Sequence, residues 1–129
     1  MPGVGRWRRS MVCVLDANAV LRYLLWDVEE QAERAKEAVI EGACLYLPVL
    51  AEVVYVLFGV YGFSRSEIDI ALENLLDDVF VFDEEIMRSA LRMYAISSLD
   101  FVDCWLIARN VLAGDRVVTF DKAMLKHLR

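Results

Sequence analysis

With 129 residues and 58% apolar side chains, the chain is long enough for one domain with a substantial core. Its net charge of -6 excludes a surface that traps nucleic acid by charge alone, so an RNA or DNA substrate would need a metal ion and local basic residues. Cys13, Cys44 and Cys104 are widely spaced, each in an apolar segment; they lack disulfide or zinc spacing and predict reduced core thiols in a cytosolic protein.

In chain order, residues 1–10 have no apolar period and are expected to form a flexible tail before a domain at 11–129, with Met11 a candidate native start. Gly3 to Ser10 is basic and only five apolar residues follow, too few for a signal peptide. Val12–Leu15, short and rich in β-branched residues, predicts a buried strand. Asp27 to Glu41 has a helical period with Ala32, Ala35, Val39 and Ile40 inward and Gly42 as the stop. Cys44–Leu47 predicts a second strand, and Pro48 suits the first turn of a helix reaching about Gly59. The apolar stretch from Gly42 to Ser64 resembles a membrane span in composition only. Pro48, Gly59 and Gly62 interrupt it, and Glu52 near its centre would cost roughly 2.5–3.5 kcal/mol on insertion. Ser64-Arg65-Ser66-Glu67 is a capping-box pattern before a helix through Leu76. Val79–Phe82 predicts a third strand and Arg116–Thr119 a fourth. Helices are expected over Glu84 to Ile96, Phe101 to Ala113 and Ala123 to Leu128. Apolar strands alternating with helices predict an α/β fold with a central parallel sheet covered on both faces.

Asp16, Glu52, Asp103 and Asp121 sit in or beside core-forming sequence. Asp16 ends the run Met11 to Leu15, and Asp121 follows Val117-Val118-Thr119-Phe120. Asp103 opens the run Cys104 to Ala108, and Glu52 is the only charged or His residue between Glu41 and Arg65. Unpaired buried charge costs several kcal/mol, so these positions suggest one shared pocket with a cation in it. In parallel sheets ligands bind beyond the carboxyl ends of the strands, where Asp16 and Asp121 are expected to lie. Hard cations such as Mg²⁺ and Mn²⁺ prefer carboxylate oxygen and water, and can polarise a phosphodiester and activate water. Each acid also has a structural role open to it. Asp16 can end a strand in an Asx turn, Asp121 can cap the last helix, and Asp103 can complement a helix dipole while Asp100 caps. Glu52 is hardest to explain this way, because Val49, Val53 and Val56 around it are expected to face the core. His127, the only histidine, reads as solvated or capping.

Val14-Leu15-Asp16-Ala17-Asn18, Glu52 in a mid-chain helix, Asp100-Phe101-Val102-Asp103 and Thr119-Phe120-Asp121-Lys122 resemble, in order and spacing, the PIN-domain nucleases, and within them the VapC-like toxin branch. The likeness covers Met11 to Leu128; each motif is short, and only the combination is specific. It implies a three-layer α/β/α sandwich with a central parallel sheet of four to five strands, a Mg²⁺ or Mn²⁺ site, endonucleolytic cleavage of RNA, a homodimer, and a small antitoxin that blocks the site. By position, the resemblance makes Asp16, Glu52 and Asp103 metal ligands and catalytic, with Asp121 completing the cluster directly or through water. It gives Asn18 the orientation of Asp16 or a water, Thr119 a supporting hydrogen bond, and Asp100 either a ligand's or a cap's role. Cys104 and Trp105 depart from the small residues often found after the third acid.

The large apolar side chains Val53, Tyr55, Phe58, Val60, Tyr61 and Phe63 independently predict a homodimer. Alternatives to a toxin are a free-standing PIN nuclease and a non-catalytic binding module of the same fold. A receiver-type phosphoacceptor leaves Glu52 without a role, and a phosphatase of the haloacid dehalogenase type needs Asp-x-Asp where this chain has Asp16-Ala17-Asn18.

Overall fold

The structure, a computed structural model, describes residues 12–129; the predicted tail at 1–10 and the candidate start at Met11 lie outside them. Helix α1, Ala17–Leu25, begins where the Asp16 carboxylate accepts a hydrogen bond from the Ala19 amide at 2.8 Å. It buries Val20 and Leu21 and ends at Trp26, whose φ of 52° is left-handed. The strand-ending Asx turn open to Asp16-Ala17-Asn18 is the start of this helix, for which the sequence reading has no counterpart.

Helix α2, Glu29–Ile40, buries Ala32, Ala35 and Val39, whose small size allows a close approach to α1. Ile40, expected inward, is exposed. Gly42, at φ 99°, supplies the left-handed turn that ends the segment. Helix α3, Leu47–Gly59, takes Pro48 in its first turn and buries Leu50, Val53, Val54 and Leu57. Helix α4, Arg65–Asp78, has the expected capping box: Ser64 Oγ accepts from the Glu67 amide at 3.1 Å, and Glu67 accepts from the Ser64 amide at 3.0 Å. Helix α5 spans Glu84–Ile96 and α6 spans Phe101–Ala108. A single π turn, Arg109–Ala113, continues α6 and closes at Gly114, φ 79°. Helix α7 is short, Lys122–Leu125.

The predicted sandwich around a four- to five-stranded parallel sheet is not what forms. Among the described residues there is no β-strand, only isolated parallel bridges from Val14 to Cys44 and from Cys44 to Phe80. The Leu15 amide donates to the Cys44 carbonyl at 3.0 Å and the Leu45 amide to the Phe80 carbonyl at 2.9 Å. The reason lies in the length of the apolar runs. Val12–Leu15 and Cys44–Leu47 each pass into a helix within about two residues of the bridge, which leaves no consecutive pairs to build a ladder. Residues 115–121, the expected fourth strand and its flanks, have no regular structure.

One cluster of buried side chains joins the helices, with Leu45, Leu50, Leu57, Leu72, Leu91 and Ile107 fully enclosed. Each such residue contributes about 1.5–3 kcal/mol by leaving water. Cys44 and Cys104 are buried and Cys13 is half-buried; all three are free thiols. The segment after the π turn is held by Asn110, the one buried polar side chain among the described residues. Its amide nitrogen donates to the carbonyls of Asp115 at 2.8 Å and Arg129 at 3.2 Å, and its oxygen accepts from the Arg129 amide at 2.8 Å. Among the described residues no helix is long and apolar enough to cross a membrane.

Candidate functional site

The parallel bridges send the chain from Leu15 into α1 and from Leu45 into α3 at the same end of the molecule. Asp16 and the early turns of α3, with Glu52, therefore leave the core at a common edge. Asp16 is exposed, and one of its oxygens is occupied in capping α1. Glu52 is also exposed; Val53 beside it is buried, while Val49 and Val56 are half-buried. The expectation that these acids are enclosed by core is thus corrected, since helical geometry turns Glu52 outward between inward-facing neighbours.

At the start of α6 the geometry is tighter. Asp100 occupies the N-cap position in an extended backbone conformation, yet its side chain makes no capping hydrogen bond. Asp103, one turn further, is half-buried. Burial above all, then the charges of Asp100 and Asp121, push the Asp103 carboxyl above the usual carboxylate range. Asp121 caps α7, its carboxylate accepting from the Ala123 amide at 2.8 Å. Thr119 Oγ1 accepts from the Asp121 amide at 3.1 Å and donates to the Met124 sulfur at 3.7 Å. So Thr119 supports the backbone that presents Asp121.

None of Asp16, Glu52, Asp100, Asp103 and Asp121 forms an ion pair among the described residues. The paired arginines are engaged elsewhere: Arg22 with Asp27, Arg88 with Glu73, Asp77 and Glu84, Arg92 with Glu73, and Arg109 with Asp83 and Asp115.

Two clefts flank these acids. One, of about 430 Å³, is lined by Tyr55, Phe58, Arg65, Tyr94, Asp100 and Asp103, among others. The other, of about 400 Å³, lies between α1 and α2 and holds Asp16 and Asn18. Glu52 lines neither. Arg65 escaped sequence reading, where it was only the second residue of a capping box. Its Nη1 donates to the carbonyls of Tyr94 at 3.0 Å and Leu99 at 2.8 Å, and its guanidinium lies 4.1 Å from the Tyr94 ring centre. It therefore tethers the turn between α5 and α6 from which Asp100 and Asp103 start. Nothing in the local sequence pattern signals this contact, because it spans 34 residues. Trp105 is half-buried against the core, and its indole nitrogen has no hydrogen-bond partner.

In kind, the donor set suits a hard divalent cation: carboxylates with no ion-pair partner among the described residues. In position it is not assembled. Among the described residues, no three His, Cys, Asp or Glu side chains stand close enough to hold one ion together. Asp100, Asp103 and Asp121 are brought within electrostatic reach, while Asp16 lies in a second cleft and Glu52 outside both.

A helical domain that gathers acids, without basic partners, at helix starts beyond a parallel bridge is the class of molecule this geometry defines. The family model for the PIN domain matches residues 13–128, and the chain belongs to that family, whose members are generally nucleases. No curated protein and no solved structure matches the chain.

Proposed function

We propose that this PIN-domain protein is an endoribonuclease that hydrolyses RNA phosphodiester bonds with Mg²⁺ or Mn²⁺, and that it is the toxin of a VapBC-type toxin–antitoxin pair. The observation that carries the nuclease reading is at Asp103. Its carboxyl is pushed up by burial first and then by the charges of Asp100 and Asp121, and among the described residues no ion pair offsets either. A divalent cation is the partner that such a set lacks, and when bound it supplies Lewis acidity toward a phosphodiester.

Asp16, Glu52, Asp103 and Asp121 are the proposed ligands. Asn18 stands beside Asp16 in its cleft, Thr119 holds the backbone of Asp121, and Asp100 adds charge next to Asp103. The resemblance in motif order and spacing to VapC-like toxins supports the toxin role and a small antitoxin partner. A homodimer is supported by Tyr55, Phe58, Val60 and Tyr61, all exposed on α3 and the turn after it. Val53, counted with them from sequence, is buried and cannot contribute. The free thiols support a cytoplasmic setting.

The test is cleavage of single-stranded and structured RNA with Mg²⁺, Mn²⁺ or EDTA. Cleavage with either metal and none with EDTA is expected. Cleavage that persists in EDTA, or no cleavage of any RNA, would reject the reading.

A further inference from the structure

An acidic chain that binds RNA needs a local path where the phosphates are not repelled. We propose that the cleft between α1 and α2 is that path, with Arg34 and Arg22 on the phosphate oxygens of the strand leading to Asp16. The proposal rests on the RNA half of the proposed function and adds where the backbone lies.

The distribution of charge on α2 carries it. Glu29, Glu30, Glu33 and Glu37 make this helix acidic as a whole, yet none of them lines the cleft. The stripe that does line it is Gln31, Arg34, Ala35 and Ala38, one helical face. From α1 the cleft receives Asn18, Ala19 and Arg22, again one face. Among the described residues Asp16 is thus the only carboxylate in the lining, at the end where the candidate acids begin. The alanines leave room for a ribose–phosphate chain, and the amides of Asn18 and Gln31 can donate to its oxygens.

The two arginines are placed differently. Arg34 is exposed and has no ion pair among the described residues, so its guanidinium can turn to a phosphate without breaking a contact. Arg22 is fixed. Its side chain lies 3.3 Å from Asp27 and donates to the Tyr61 hydroxyl at 3.0 Å, while its Nε is buried without a partner. Held at the cleft wall by Asp27 and Tyr61, this guanidinium is pre-positioned toward a phosphate oxygen entering the cleft. The lining therefore pairs a rigid contact on α1 with an adjustable one on α2.

The test is fluorescence anisotropy with a labelled single-stranded oligoribonucleotide in EDTA, measured across a KCl series. The proteins are wild type, Arg34→Glu, Arg34→Gln and Lys36→Glu. Lys36 is exposed on the same helix but outside the cleft, so it controls for net charge. Arg34→Glu is expected to weaken binding on the order of tenfold and Lys36→Glu far less. Arg34→Gln is expected to lower the slope of log Kd against log salt by about 0.7, the loss of one phosphate contact on a single strand. Equal effects of Arg34→Glu and Lys36→Glu, or no binding by wild type, would overturn the proposal. If wild type cleaves RNA with Mn²⁺ while Arg34→Glu binds normally, the cleft path falls and the nuclease reading stands. Arg34-dependent binding without any cleavage gives the reverse.

Discussion

Replacing Asp103 with Asn keeps the side chain's size and removes its charge. Two effects oppose each other at this position. A carboxylate in the first turn of α6 gains about 0.3–1 kcal/mol from the helix dipole. Against that stand the like charge of Asp100 three residues earlier, typically about 0.2–0.5 kcal/mol, the charge of Asp121, and partial burial. The carboxyl is pushed up, so the unfavourable effects win. Without metal, Asp103→Asn is therefore expected to gain on the order of 0.5 kcal/mol at pH 7, roughly 2 °C in melting temperature. The sign of the pH dependence follows. A raised folded-state carboxyl favours the protonated form, so its contribution is complete below the unfolded value of 3.8 and is lost as pH rises through the folded value. The variant, neutral throughout, has no such loss. Its advantage over wild type should be present at pH 7 and vanish near pH 3. RNA cleavage with Mn²⁺ should fall on the order of 100-fold or more in the same protein. Melting curves at the two pH values and one cleavage assay suffice. A less stable variant at pH 7 that cleaves at the wild-type rate would leave Asp103 as a helix-start residue alone.

Three further outcomes are expected. The Asp69 carboxyl is pushed up to about 6 by burial first, then by the neighbouring Glu73 carboxyl, with Arg92 opposing. Wild type should therefore lose part of its stability as pH rises from about 4 to 6, and Asp69→Asn should lack that slope in urea midpoints; parallel curves would contradict it. Arg65→Met keeps the stem against Tyr94 but deletes the donors to Tyr94 and Leu99, at about 1.5–3 kcal/mol per hydrogen bond made by a charged group. Its amides at 98–103 should exchange faster and cleavage should drop, whereas wild-type exchange there would remove Arg65 as the tether of Asp100 and Asp103. Leu72→Ala, in the fully enclosed core, should cost about 2–5 kcal/mol in urea unfolding; a loss below about 1 kcal/mol would mean α4 does not pack as described.

The helices were legible because their signals are local. Ser64 and Glu67 cap α4 as a four-residue pattern, and Gly42 and Gly114 stop their segments through positive φ. Glu84–Ile96 forms over the residues its apolar period marks. The sheet was misread because an apolar run reports burial and not the number of consecutive backbone pairs. Leu15, Leu45 and Val81 are buried, yet each run touches its neighbour at a single bridge before the chain turns. Phe80 and Phe82, counted as strand, are exposed, and Tyr46 stacks on Phe82 at 6.1 Å. The helix Ala17–Leu25 was missed because Asp16 was weighed as a ligand or a strand-ending turn and not as a helix cap.

For the site, the sequence put the acids in order but not their surroundings. The charge of Asp121 acts on the Asp103 carboxyl after burial and Asp100, and Asp121 and Thr119 share a capped turn. Glu52, inferred from an apolar neighbourhood to be enclosed, points outward, because a helix alternates its faces whatever the mean hydropathy. Arg65 and Asn110 act through contacts distant in sequence, to which periodicity is blind.

Asp16, Glu52, Asp103 and Asp121, the proposed ligands of a divalent cation, are not gathered close enough to hold one together. The direct measurement is a Mn²⁺ titration by electron paramagnetic resonance on wild type and on Asp16→Asn, Glu52→Gln, Asp103→Asn and Asp121→Asn. Saturable binding by wild type is expected, weakened about tenfold or more by each substitution. Four variants that bind Mn²⁺ as wild type does would contradict it.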